Sequence, residues 1–198
     1  MRFYPEDAPV PATLQTERLN LTMLAPEHVE RDYDALMSSQ ARLNLWSGGR
    51  WPSPDFTLAQ NMDDMLRHSR EHLAREAFTF TVMNHDETRC EGCVYINGWD
   101  GTCRDIRLSE PPADARDFDA IIEYWVRDSA LENDLDHELV SGLLTWFDHE
   151  WAFDRTLFRL NLDLPRDVQT LEALDLVRLY AFETPTPPGT YYIYGAPV

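Results

Sequence analysis

The sequence predicts an α/β (α+β) domain, and three observations carry that reading. Residues 19–23 and 156–164 alternate apolar and polar side chains with period two, as half-buried strands do. Residues 58–76 and 135–151 instead place apolar side chains at helical spacing, with Leu58, Met62, Met65, Leu66 and Leu73 on one stripe and Leu139, Leu143, Trp146 and Phe147 on the other. The elements then follow the order strand, two helices, three-stranded meander, helix, strand, helix, strand, strand. At 198 residues and 43% hydrophobic content the chain is long enough for one substantial core and short for two.

Residues 1–17 begin with Pro5, Pro9 and Pro11 and read as an extended N-terminal arm; residues 18–198 form the single domain. After the first strand, Pro26 and Glu27 open a helix with Val29, Tyr33, Leu36 and Met37 on its apolar side. The segment 46–52, with Gly48, Gly49 and Pro52, breaks the pattern as a loop, and Ser53 or Asp55 can start the next helix. Runs 78–83 and 93–99, separated by the turn-rich 84–88, predict an antiparallel hairpin. The polar stretch 100–117 has room for a short strand around Ile106, and 120–126 is the next strand. A short helix at 168–176 precedes a closing hairpin of 177–182 with 191–194.

Charge is lopsided, with 35 Asp and Glu against 17 bases, all of them Arg, and a formal charge of -18. Such a field repels phosphate backbones and anionic lipid and disfavours non-specific nucleic-acid and membrane-surface binding, so neither partner is expected. Dense carboxylates fit adaptation to high salt, and the lack of lysine fits a G+C-rich genome equally. No stretch reaches membrane-span length, and the first residues lack the apolar run of a signal peptide, so a soluble, cytoplasmic protein is expected. Cys90, Cys93 and Cys103 are an odd number, against a disulfide framework. With His85 they offer no second ligand pair at zinc spacing, so no metal is expected.

Three phrases carry a resemblance. Thr16-Glu17-Arg18-Leu19 opens the first strand, Tyr124-Trp125-Val126 is followed after a loop by Glu138-Leu139-Val140, and Asp154-Arg155 enters the next strand. In this order they resemble the GNAT (Gcn5-related N-acetyltransferase) superfamily, and within it the ribosomal-protein N-terminal acetyltransferase branch. The resemblance implies a mixed, mostly antiparallel sheet of six to seven strands flanked by about four helices. It also implies that strands 120–126 and 156–164 splay apart to expose backbone for pantetheine. The implied activity is transfer of an acyl group from acetyl-CoA or another acyl-CoA to a primary amine of a small molecule or peptide. Trp125, Val126, Arg127, Asn133, Asp134, Leu135, Asp136 and His137 would line the donor site.

The chain departs from the family at the diphosphate loop, R/Q-x-x-G-x-G/A, whose glycines let backbone amides approach the phosphates. Asp134 and Asp136 stand at the two signature positions and Glu132 at another commonly occupied by glycine. Like charges about 5 Å apart repel by a little under 1 kcal/mol in water and about 3 at an effective dielectric near 20. Asp134 can also cap the helix and Asp136 sit in its first turn. Either way the acyl-CoA site is expected to be weakened. For proton transfer the candidates are Glu123 and Asp119, on one face of the central strand, and Tyr180 near the final hairpin. Trp46, Arg50, Trp51 and Asn161 are expected at the acceptor, which the net acidity predicts to be cationic. A homodimer is compatible with this reading. The alternative is a GNAT-fold protein that has lost acetyl-CoA and uses another donor or serves as a binding module.

Overall fold

The computed structural model describes residues 3–99, 112–185 and 188–197. The strand expected around Ile106, and Cys103, lie outside the described residues. One eight-stranded sheet has the order β1-β2-β3-β4-β5-β6-β8-β7. Its strands are β1 (Thr13–Gln15), β2 (Leu19–Met23), β3 (Phe78–Asn84), β4 (Cys90–Asn97), β5 (Asp119–Val126), β6 (Arg155–Asn161), β7 (Val177–Pro185) and β8 (Pro188–Gly195). All neighbours run antiparallel except β5 and β6. The helices are α1 (Val29–Ser38), α2 (Gln40–Trp46), α3 (Leu58–Leu73), α4 (Asp128–Leu131), α5 (Leu135–Glu150) and α6 (Pro165–Ala173).

Helices cover both sheet faces, which is why β5 is buried at every position rather than on alternate ones. Ile122, Tyr124 and Val126 point to α5, where Leu139, Val140, Leu143 and Trp146 fill the larger core with Phe78 and Phe80. Trp125 points to the other face, among Leu36 and Leu43 of the first two helices and Met65 of α3. Each such side chain contributes about 1.5–3 kcal/mol by leaving water. Gly92 permits the close approach of β4 to β5, since a Cβ there would lie 2.1 Å from the Trp125 carbonyl oxygen.

Three differences from the sequence reading have physical causes. The N-terminal arm is a packed element: Phe3 and Tyr4 are buried against Phe78, Trp151 and Phe153, and Thr13–Gln15 pairs with β2 as the sheet edge. The sheet therefore has eight strands rather than six or seven. The described residues form six α-helices rather than about four, because the backbone turns at Ser39 to separate α1 from α2, and the one-turn α4 precedes α5. Trp46 ends α2 rather than opening a loop.

The expected splay is present. β5 pairs with β6 only from Asp119↔Arg155 to Ile122↔Phe158. Beyond that point β5 stays with β4 through Gly92↔Val126, while β6 turns to β8 through Asn161↔Tyr191. A V-shaped gap opens between their C-terminal halves.

Candidate functional site

A cavity of about 420 Å³ lies beside the splay, on the α1–α3 face of the sheet. Trp46, Arg50 and Trp51 wall it from α2 and the following loop, Asp32 and Asn61 come from α1 and α3, and Glu123 and Arg159 from β5 and β6. Three of the four residues expected at the acceptor, together with Glu123, are thus brought to one place. Asn161 is not among the lining residues; its Nδ2 donates to the Leu45 carbonyl at 2.8 Å.

Glu123 and Arg159 form an ion pair across the splay, with side chains 6% and 4% exposed. The Arg159 guanidinium lies 4.9 Å from the centre of the Tyr191 ring, and its Nε and Nη1 are buried without a hydrogen-bond partner. Asp32 accepts 2.9 Å from Asn61 Nδ2, and Cys90 Sγ lies 4.0 Å from its other oxygen. No cation pairs with it among the described residues. Burial first, and the Asp64 charge after it, push its carboxyl up to about 6 against the Asn61 hydrogen bond. The sequence held a signal for Asp32 that was missed: it occupies the apolar stripe of α1, three residues after Val29 and four before Leu36. His68 also lines the cavity, and burial lowers its imidazole below the ordinary value.

The fold does not bring Asp119 and Tyr180 to this cavity. Asp119 sits four residues before Glu123, roughly 13 Å along the strand. Its carboxylate accepts 2.9 and 2.6 Å bonds from Arg155, 2.9 Å from Trp99 Nε1 and 2.9 Å from the Arg116 amide. Burial alone would raise its carboxyl, but these bonds outweigh it and hold the group below the usual range. Tyr180 donates to Asp114 at 2.7 Å. Both belong to a closed network at the start of β5.

The residues expected around the donor have internal partners. Trp125 Nε1 donates to Tyr95 Oη at 3.2 Å, Val126 is buried, and Arg127 reaches away from the loop to Asp34 at 2.9 Å and Ser38 at 2.8 Å. Asn133 donates to the Ser129 carbonyl, Leu135 packs at the core edge, and His137 and Glu132 are exposed. Asp134 adopts the left-handed conformation, φ 55°, that glycine accepts most readily. Asp136 is fully buried and turned to α6: Arg166 grips it through Nε and Nη2, both at 2.7 Å, and Thr170 donates at 2.6 Å. Burial opposes its charge, yet these partners keep its carboxyl below the ordinary range. Arg166 also reaches Asp134 at 2.7 Å, so one guanidinium offsets part of the charge of two of the loop's carboxylates. Glu138 accepts from Thr16 at 2.6 Å and Arg18 Nε at 2.5 Å, tying the opening phrase to α5.

The splay-facing edge of β5 is bonded to α2. The Arg127 amide donates 2.7 Å to the Glu91 carbonyl, so strand alternation turns Trp125 and Glu123 to β4 and the Tyr124 and Val126 carbonyls to the gap. Trp46 Nε1 donates to Tyr124 at 2.8 Å and Arg42 Nη2 donates to Val126, while Arg42 Nε holds Asp128 at 2.7 Å. With Asn161 holding Leu45 from the β6 side, α2 lies across the V.

Comparison with known proteins bears on the fold. No family profile matches the chain, and no curated protein sequence matches it. Solved structures do. The chain is similar to a ribosomal-protein-S5-alanine acetyltransferase from Vibrio fischeri, at TM-score 0.68 and 13% identity over 93% of this chain and 95% of the other. It is similar to the ribosomal L7/L12 alpha-N-protein acetyltransferase RimL in complex with coenzyme A, at TM-score 0.70 and 12% identity over 93% and 98%. It is also similar to the Salmonella typhimurium enzyme that modifies the N-terminal serine of L7/L12, at TM-score 0.69 and 12% identity over 92% and 96%.

Coenzyme A is bound in one of these similar structures. In this chain the β5 carbonyls at the splay are already bonded to Trp46 and Arg42, and Asp134 and Asp136 occupy the turn into α5. Among the described residues no three His, Cys, Asp or Glu side chains gather to hold a metal, and no helix is long and apolar enough to cross a membrane. The chain has the GNAT acetyltransferase fold, with a pocket on the α1–α3 face beside the splay and α2 across the gap.

Proposed function

We propose that this chain is an N-acyltransferase that acts on a primary amine of a small molecule or peptide held in the pocket beside the splay. The observation that carries this reading is Asp32, a buried carboxylate lining the cavity with one hydrogen bond from Asn61 and no cationic partner among the described residues. An amine arrives as ammonium and must lose a proton before it can attack an acyl carbon. A carboxyl raised to about 6 is matched to that task near neutral pH, whereas Glu123 is engaged by Arg159. The similar structures include enzymes named for acetylating ribosomal proteins, one of them at an N-terminal serine, which supports a peptide amine as one acceptor class. The formal charge of -18 favours approach of a cation. The buried free thiols Cys90 and Cys93 accord with a reducing, cytoplasmic setting.

The test is incubation with acetyl-CoA in millimolar excess and a panel of amines and N-terminal peptides, with products read by mass spectrometry. Acylation that Asp32→Asn abolishes while the fold is retained supports the reading. Acylation unchanged by that substitution removes Asp32 from the mechanism.

The bonded edge of β5 favours a second reading, in which the chain has given up coenzyme A and uses a different donor or only binds its amine. Its signature is amine binding by calorimetry with no product from any acyl-CoA.

A further inference from the structure

Arg159 poses a problem that its known partners leave unsolved. It lines the pocket with a side chain 4% exposed, Glu123 takes Nη2, and the Tyr191 ring covers one face. Nε and Nη1, which together carry three N–H groups, have no acceptor. A buried donor without a partner is costly, and more so on a charged group, so such a group signals an acceptor supplied from elsewhere. The pair Glu123–Arg159 is also asymmetric: one carboxylate cannot satisfy all five N–H groups of a guanidinium. At the same pocket, Asp32 is a carboxylate without a cation. A cation short of acceptors and an anion short of a counter-charge share one cavity of about 420 Å³.

We infer that Arg159 is a ligand-binding residue that receives a carboxylate of the bound molecule, and that the pocket takes a zwitterionic amine, an amino acid being the simplest case. This rests on the amine-acceptor reading above and changes it: the ligand carries both charges rather than a positive charge alone. Guanidinium–carboxylate hydrogen bonds are among the stronger ones available to a protein, and burial under Tyr191 protects them from solvent competition. Glu123 then positions Arg159 rather than acting on the amine itself.

The experiment is calorimetric titration with three matched sets: alanine, leucine and phenylalanine, each beside its decarboxylated amine and its deaminated acid. For at least one set the amino acid should bind wild type at least tenfold more tightly than the amine. Arg159→Met should abolish that preference. Because Arg159→Met takes the Arg159 charge away from Glu123, the double variant Glu123→Gln/Arg159→Met removes both charges of the pair and serves if the single variant does not fold. Arg159→Lys should retain part of the preference. Amines that bind as well as their amino acids, or a preference that survives in a folded Arg159 variant, overturn the inference while leaving the acceptor reading intact. Acids that bind through Arg159 when no amine binds uphold the carboxylate site and sink the amine reading. No binding by any of the nine compounds overturns both, leaving water as the acceptor for Arg159.

Discussion

The Trp46 indole donates a 2.8 Å hydrogen bond to the Tyr124 carbonyl, joining the last residue of α2 to the strand edge that borders the splay. Arg42, one turn earlier, does the same for Val126. These bonds hold a seven-residue helix that is too short to be stable without tertiary contacts. Arg42→Ala should therefore leave a buried carbonyl unsatisfied and lower stability by about 1–3 kcal/mol. It should also speed amide hydrogen exchange in α2 more than in α5. Equal protection of α2 in wild type and variant would show that Arg42 does not hold the helix.

Asp134 and Asp136 should respond oppositely to glycine. Asp134→Gly relieves a left-handed backbone at a cost of one exposed ion pair with Arg166, so stability should stay within about 0.5 kcal/mol in urea melts. Asp136→Gly removes a buried acceptor of Arg166 and Thr170 and should cost about 1–3 kcal/mol. Equal effects at the two positions would contradict the different environments described for them.

Asp32 should leave a mark on the pH dependence of stability. Its carboxyl is about 6 in the folded chain and 3.8 in the unfolded one, so between these values the folded state binds the extra proton. Stability from this group is fully present below 3.8, falls as pH rises, and is lost above about 6, a decline of order 3 kcal/mol. Asp167, also raised to about 6 by burial, contributes in the same direction. Asp119 and Asp136, held low, act the opposite way and lose their contribution as pH falls through their folded values. The difference between wild type and Asp32→Asn in urea melts from pH 4 to 7 isolates the first term. A difference independent of pH would refute the raised carboxyl.

Gly92→Ala is expected to be among the more damaging small substitutions, at about 2 kcal/mol or more, because its Cβ would meet the Trp125 carbonyl oxygen at 2.1 Å. Thermal unfolding that differs from wild type by under about one degree would show that the strands can yield.

Much of this was legible from local pattern. The alternation of Leu19, Leu21 and Met23 and of Phe158 and Leu160 located strands, and the family resemblance implied the splay between β5 and β6. Thr13–Gln15 escaped because three residues carry too little periodicity to separate a strand from an arm. Asp136 looked like a phosphate-repelling loop residue, and only the docking of α6 shows that Arg166 and Thr170 take it inward. Arg42 is a surface-like arginine in sequence; its partner carbonyl lies 84 residues away, and no spacing rule reaches that far. Asp119 and Glu123 share a strand face as alternation requires, yet one is locked to Arg155 and the other lines the cavity. Face is local information, whereas partners are tertiary.

The measurement closest to the central claim is a calorimetric titration of the wild-type protein with coenzyme A carried to millimolar excess, repeated with Arg42→Ala. An edge of β5 already bonded to α2, beside a diphosphate loop without glycine, predicts no binding tighter than millimolar, weaker than about -4 kcal/mol, for wild type. Micromolar binding by wild type, left unchanged by Arg42→Ala, would contradict it and make an ordinary acetyl-CoA enzyme of this chain.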